Sequence, residues 1–185
     1  MSKVTLDPKA PEGAARGSTA PKRRPAYAHL CASSEPEPRV VLHIPEVPVA
    51  KARPRMSRYR GPQRVYTPLP TARAEQRIRE HARAQLGEGW VPLSGPLSIS
   101  VTVLRPLPKE MPKRLWATAV PACRPDLTNY LKLIEDALTL GPDGWGVVRD
   151  DAQFVAIINA KKLYALGCEP GWEVVIEPFT LEVPT

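Results

Sequence analysis

The stretch RPDLTNYLKLIEDALTLGPDGWGVVRDDAQ, residues 124 to 153, limits what this chain can fold into more than any other. Pro125 keeps Arg124 extended, so no helix can begin before it. Asp126 follows at an N-cap position, where a side-chain oxygen can accept orphan backbone N–H groups. Leu127, Tyr130, Leu131, Ile134, Ala137 and Leu138 then recur at spacings of three and four, one apolar stripe of a helix. Gly141 and Pro142 supply the stop signal.

The opposite face of that helix carries charge. At about 100° per residue, Thr128, Lys132, Glu135 and Thr139 fall in a sector of roughly 60°, with Asp136 at its edge. A loop containing Gly141, Gly144 and Gly146 returns the chain to Asp150 and Asp151. The next run, AQFVAIINAKKLY, reads as a strand with Ala152, Phe154, Ala156 and Ile158 on its core face. Carboxylates from the helix start and the strand start are therefore expected to meet at one end of the layer. Clustered carboxylates repel unless a cation lies between them, and oxygen donors of this kind suit Mg²⁺ or Mn²⁺.

Other elements surround this unit. Arg39 to Ile44 is a first strand candidate, and Arg64 to Pro68 a short extended segment. A helix is expected from about Pro70 to Leu86, with Ala74, Ile78, Ala82 and Leu86 as a thin stripe and Gly87 ending it. Leu97 to Leu104 alternates apolar and hydroxyl residues, the clearest strand, and Trp172 to Ile176 is the last. These elements predict an α+β fold, a small mixed β-sheet with two helices packed on it. Residues 1–38 are Pro-rich and lack periodicity, so they are read as a disordered basic tail, with a folded domain from 39 to 182.

Charge narrows the partners. Twenty-six Lys and Arg against nineteen Asp and Glu give a net charge of +7, which favours a polyanion. Between Lys51 and Arg64, six of fourteen residues are basic (Lys51, Arg53, Arg55, Arg58, Arg60, Arg64) and none is acidic. Their mutual repulsion is relieved when phosphates lie against them, so these six are the expected DNA contacts. That run argues against a hydrolase for small phosphates. Aromatic residues are only 6% of the chain, which argues against a single-strand binder built on stacked rings. Three scattered cysteines, Cys31, Cys123 and Cys168, make neither a zinc site nor a disulfide framework, so a reducing cytoplasm is expected. No apolar run reaches the length of a membrane span and no signal-peptide core is seen.

The motifs Pro125-Asp126-Leu127, Asn129 and Lys132, then Asp136-Ala137-Leu138, then Asp150-Asp151-Ala152-Gln153 together resemble the RusA family of Holliday junction resolvases. The resemblance extends to Lys51–Arg55 and Arg64–Pro68 and covers roughly residues 40 to 177. It implies a symmetric homodimer acting on four-way branched DNA with Mg²⁺ or Mn²⁺, and a RusA-like nuclease domain over 39–182. The family pattern has aspartates at both ends of D-x-D-N, a lysine four residues later, and the second aspartate of DD. Carried over, these positions are Asp126, Thr128, Lys132 and Asp151, so Thr128 breaks the set.

The resemblance gives Asp126 and Asp151 as metal ligands and catalytic groups, Asp150 as a possible helper ligand, and Lys132 as the charge stabiliser on the phosphate. Two readings of Glu135 stand side by side. It supplies the carboxylate missing at Thr128, or it pairs with Lys132 at i, i+3, a surface contact of about 0.2–0.5 kcal/mol. Asn129 either orients a ligand or caps the helix. A protein that binds junctions without cutting them is the competing function, because Thr128 brings no charge.

Overall fold

The structure is a computed structural model that describes residues 38–56 and 65–181. The tail expected over residues 1–38 lies almost wholly outside the described residues, as do Arg58, Arg60 and Arg64. Strand β1 (Val40–Ile44) alternates, with Val40, Leu42 and Ile44 buried and Val41 and His43 exposed. Two short strands, β2 (Arg55–Met56) and β3 (Val65–Tyr66), pair antiparallel as a separate ribbon. Helix α1 (Leu69–Leu86) follows, and then β4 (Leu97–Arg105), α2 (Leu127–Leu138), β5 (Phe154–Tyr164) and β6 (Gly171–Pro178).

The main sheet has the order β1–β6–β4–β5. Strand β6 runs antiparallel to both β1 and β4, while β4 and β5 are parallel neighbours. Parallel neighbours need a crossover, and α2 is that crossover. The sheet is therefore mixed, with α1 and α2 packed on it, as the α+β reading expects. Leu97, Ile99, Val101 and Val103 of β4 and Trp172, Val174 and Ile176 of β6 form the buried sheet face. Tyr130 of α2 meets Trp172 edge-on, ring centroids 5.6 Å apart.

Three departures from the sequence reading have local causes. First, α2 ends at Leu138, because Thr139 turns extended and its hydroxyl donates back to Glu135 O at 2.8 Å. Arg79 Nη2, from α1, lies against Asp136 O and Thr139 O there. Leu133 is also fully buried, outside the expected stripe, since α2 packs on α1 as well as on the sheet. Second, Ile158 is 63% exposed, not in the core. The β4–β5 register slips twice, between Leu97 and Ser98 and between Ile99 and Ser100, so Val155 and Ile158 are skipped. Third, Asp151–Gln153 forms a 3-10 turn ahead of β5, which keeps Ala152 out of the strand.

The return loop depends on Gly146. A Cβ there would lie 2.6 Å from the Leu140 backbone, where Val148 bridges to both Thr139 and Leu93. Among the described residues no helix is long and apolar enough to cross a membrane.

Candidate active site

The 3-10 turn that carries Asp151 is held by a buried glutamine. Gln153 is 1% exposed. Its Oε1 accepts from Arg149 N at 2.8 Å and Asp150 N at 3.0 Å, and its Nε2 donates to Leu93 O at 3.1 Å and Gly95 O at 3.0 Å. Asp150 Oδ1 accepts from Ala152 N at 2.8 Å, closing a capping box with Gln153. Asp150 thus has a structural duty, and the pair does not sit in a strand with opposite-facing side chains. Replacing Gln153 with Leu will lower unfolding free energy by about 3 kcal/mol, since each buried group left unsatisfied costs about 1–3 kcal/mol. Urea denaturation checks this, and a loss under about 1 kcal/mol would show that the four bonds are readily replaced.

So held, Asp151 faces the middle of α2. Lys132 Nζ lies 2.7 Å from Asp151 Oδ2, 3.4 Å from Asp136 Oδ1 and 3.7 Å from Glu135 Oε2. A second lysine enters from the other side. Lys51 Nζ pairs with Asp136 and lies 3.6 Å from Glu75, while its backbone N donates to Asn129 O at 2.9 Å. Asp151, Lys132, Asp136, Lys51 and Glu75 alternate in sign, with Glu135 beside Lys132, across the turn ahead of β5, α2, the segment after β1 and α1. Lys51, expected on DNA, spends its charge inside, with only 24% of its side chain exposed. Asp136 joins this network although it was not among the expected site residues.

The electrostatics follow the contacts. The hydrogen bond from Lys132 holds the Asp151 carboxyl below the ordinary aspartate range, and the same bond raises the Lys132 ammonium. Glu135 shifts the other way. Burial pushes its carboxyl up, the nearby Asp151 charge adds to that, and Lys132 only partly opposes it. For Asp151, whose folded value is depressed, the stabilisation is present above the unfolded value and fades as pH falls through the folded one. For Glu135, whose folded value is raised, ionisation costs stability, and protonation relieves it as pH falls through that raised value. Carboxyl ¹³C NMR should find Asp151 titrating below the ordinary range and Glu135 above it. The reverse order would contradict this geometry.

Asp126 stands apart. It occupies the N-cap position of α2, as expected, but its side chain makes no capping hydrogen bond. It lines a cleft of about 520 Å³ with Arg53, Arg124, Pro125 and Asn129. Of the expected DNA contacts, Arg53 is thus beside Asp126, and Arg55 is exposed farther along the same segment, in a second cleft with Tyr66 and Leu69. Arg124 was missed by sequence reasoning, although its place two residues before Asp126 is a usable signal. Thr128 and Asn129 are exposed on the first turn.

The four expected ligands therefore do not converge on one point. Asp126 and Glu135 are nine residues apart, about 13.5 Å along a helix at 1.5 Å per residue. Among the described residues no group of three His, Cys, Asp or Glu side chains is placed to hold a metal ion. Asp151 and Glu135 still offer hard oxygen donors around the Lys132 ammonium. Mg²⁺ commonly takes one or two carboxylates and fills its remaining positions with water and substrate phosphate. The chemistry of this pair is compatible with it, although the Lys132 ammonium lies against both carboxylates.

The chain matches the family described as endodeoxyribonuclease RusA over residues 45–177. It is also similar to an uncharacterised protein, YqaN, of Bacillus subtilis (strain 168), at 31% identity over 136 residues, covering 70% of this chain and 89% of that protein.

Proposed function

Because the chain belongs to the RusA family of endodeoxyribonucleases, we propose that it is a divalent-metal-dependent nuclease that resolves four-way DNA junctions. The observation that carries this reading is the 2.7 Å contact of Lys132 with Asp151, with Glu135 beside it, on the same helix that presents Asp126 to an arginine-lined cleft. Arg53 and Arg124, which line this cleft, would bind a backbone phosphate as planar donors. Lys132 supplies a cation where negative charge grows during cleavage. Asp126, uncommitted to its helix, is free to accept a proton from or orient an attacking water.

Asp151 and Glu135 are the groups that would hold Mg²⁺ or Mn²⁺, with Asp150 as a poorer candidate because of its cap. When bound there, such an ion would supply charge neutralisation at the scissile phosphate and acidify a nearby water. Two copies acting together would give paired cuts, and the outer strand β5 offers an edge for association. Its neighbour on one side is β4, its other side has no partner among the described residues, and Val155, Ile157 and Ile158 are more than half exposed along it.

A junction-binding protein without nuclease activity is the second reading. Thr128 in place of an aspartate favours it, as does the lack, among the described residues, of three carboxylates grouped to hold a metal. The test compares a mobile four-way junction with a linear duplex of the same arms, in Mg²⁺, Mn²⁺ or EDTA. Paired nicks near the branch point, only with metal and only on the junction, are expected. Tight junction binding without nicks in either metal would leave the second reading.

A further inference from the structure

Three consecutive backbone carbonyls, of Cys123, Arg124 and Pro125, precede the N-cap of α2. This segment belongs to no helix or strand, so its carbonyls need donors from elsewhere. Side chains from the two parallel strands supply them. Lys162 Nζ, on β5, donates to Cys123 O at 2.7 Å and to Pro125 O at 2.9 Å. Arg105 Nη1, at the end of β4, donates to Arg124 O at 3.4 Å and lies 3.2 Å from Cys123 Sγ.

Two strong cations thus spend hydrogen bonds on one turn of main chain, and one of them bridges carbonyls two residues apart. The next residue is Asp126, whose carboxylate has no capping bond to hold it. Its direction therefore depends on the backbone that leads into it. Lys162 is partly buried and paired to this turn, while its neighbour Lys161 is exposed.

We propose that Lys162, seconded by Arg105, is a positioning residue that aims Asp126 into the Arg53–Arg124 cleft. The role rests on the nuclease reading above for its importance to catalysis, but not for the contact itself. Methionine at 162 keeps the length and removes both bonds, whereas arginine keeps a cationic donor.

The test uses the full chain with K162M, K162R and K161M. Single-turnover junction cleavage, junction Kd and backbone amide exchange of Arg124 to Asn129 are measured on each. K162M should cleave about 10–100-fold more slowly, the range seen when groups behind a catalytic ligand are removed. Its Kd should stay within about twofold, and its 124–129 amides should exchange faster. K162R should recover most of the rate, and K161M should match wild type. Unchanged exchange in K162M overturns the proposal whether or not DNA is cut. Faster exchange with an unchanged rate overturns it too. A wild type inert on junctions would instead defeat the nuclease reading, and exchange alone would then decide whether Lys162 holds the turn.

Discussion

Asp151→Asn will cut junction cleavage by more than about a hundredfold, the loss reached even by removing groups behind a metal ligand, while junction binding holds or tightens. Asparagine is expected to keep the shape of the turn, because Gln153 carries its hydrogen bonds to distant segments and Asp150 caps it. What it removes is the charge that Lys132 faces at 2.7 Å. The site then becomes one unit more positive, which favours a polyanion but leaves one hard donor fewer for a cation. Asp126→Asn is expected to behave in the same way from the other end of the site. Retained cleavage in either variant would remove that residue from the centre. Glu135 adds an internal control, since loss of the Asp151 charge should bring its raised carboxyl titration down.

Glu135→Gln will lower turnover by more than about tenfold with little change in stability. Burial is the main cause of the raised Glu135 titration, so its ionised form is already costly in the fold, and a neutral amide relieves that cost. A loss of activity cannot then be blamed on unfolding, which thermal denaturation will check. The 3.7 Å separation from Lys132 is also longer than the Lys132–Asp151 contact, so Glu135 is the weaker partner of that lysine. Adding Thr128→Asp to this variant should restore part of the rate by rebuilding the D-x-D-N carboxylates. Rescue will be partial, because position 128 lies seven residues, about 10.5 Å, from position 135 along the helix. Wild-type turnover in Glu135→Gln would leave Glu135 as a partner of Lys132 and nothing more.

Periodicity made most of the fold legible. Strand β1 and helix α1 lie close to where their patterns place them, since one buried and one wet face leave a clear signal. Ile158 was misplaced because alternation assumes an unbroken register, and two slips beside β4 cannot be seen in one strand's own residues. Leu133 was missed because a stripe on one helix does not announce a second helix behind it.

The site was legible in its members more than in its arrangement. Asp126, Lys132, Glu135 and Asp151 were named from their motifs and helical face, and three of them meet in space. Asp126 does not join them, because helical rise separates it from Glu135. Gln153 had no pattern to betray it. A buried polar residue is recognised only when the carbonyls and amides it satisfies come from distant segments, here 58 and 60 residues away for Gly95 and Leu93. Lys51 sat within a basic run, and nothing in the run distinguishes the lysine that turns inward toward Asp136 and Glu75.

The most direct measurement is the Mn²⁺ dependence of single-turnover junction cleavage by wild type, E135Q and D151N. Wild type should be inactive in EDTA and rise to a plateau with Mn²⁺. E135Q should need more Mn²⁺ to approach a lower plateau, and D151N should stay near background throughout. Wild-type cleavage that is indifferent to Mn²⁺, or identical curves for all three proteins, would contradict a centre in which Asp151 and Glu135 hold the ion.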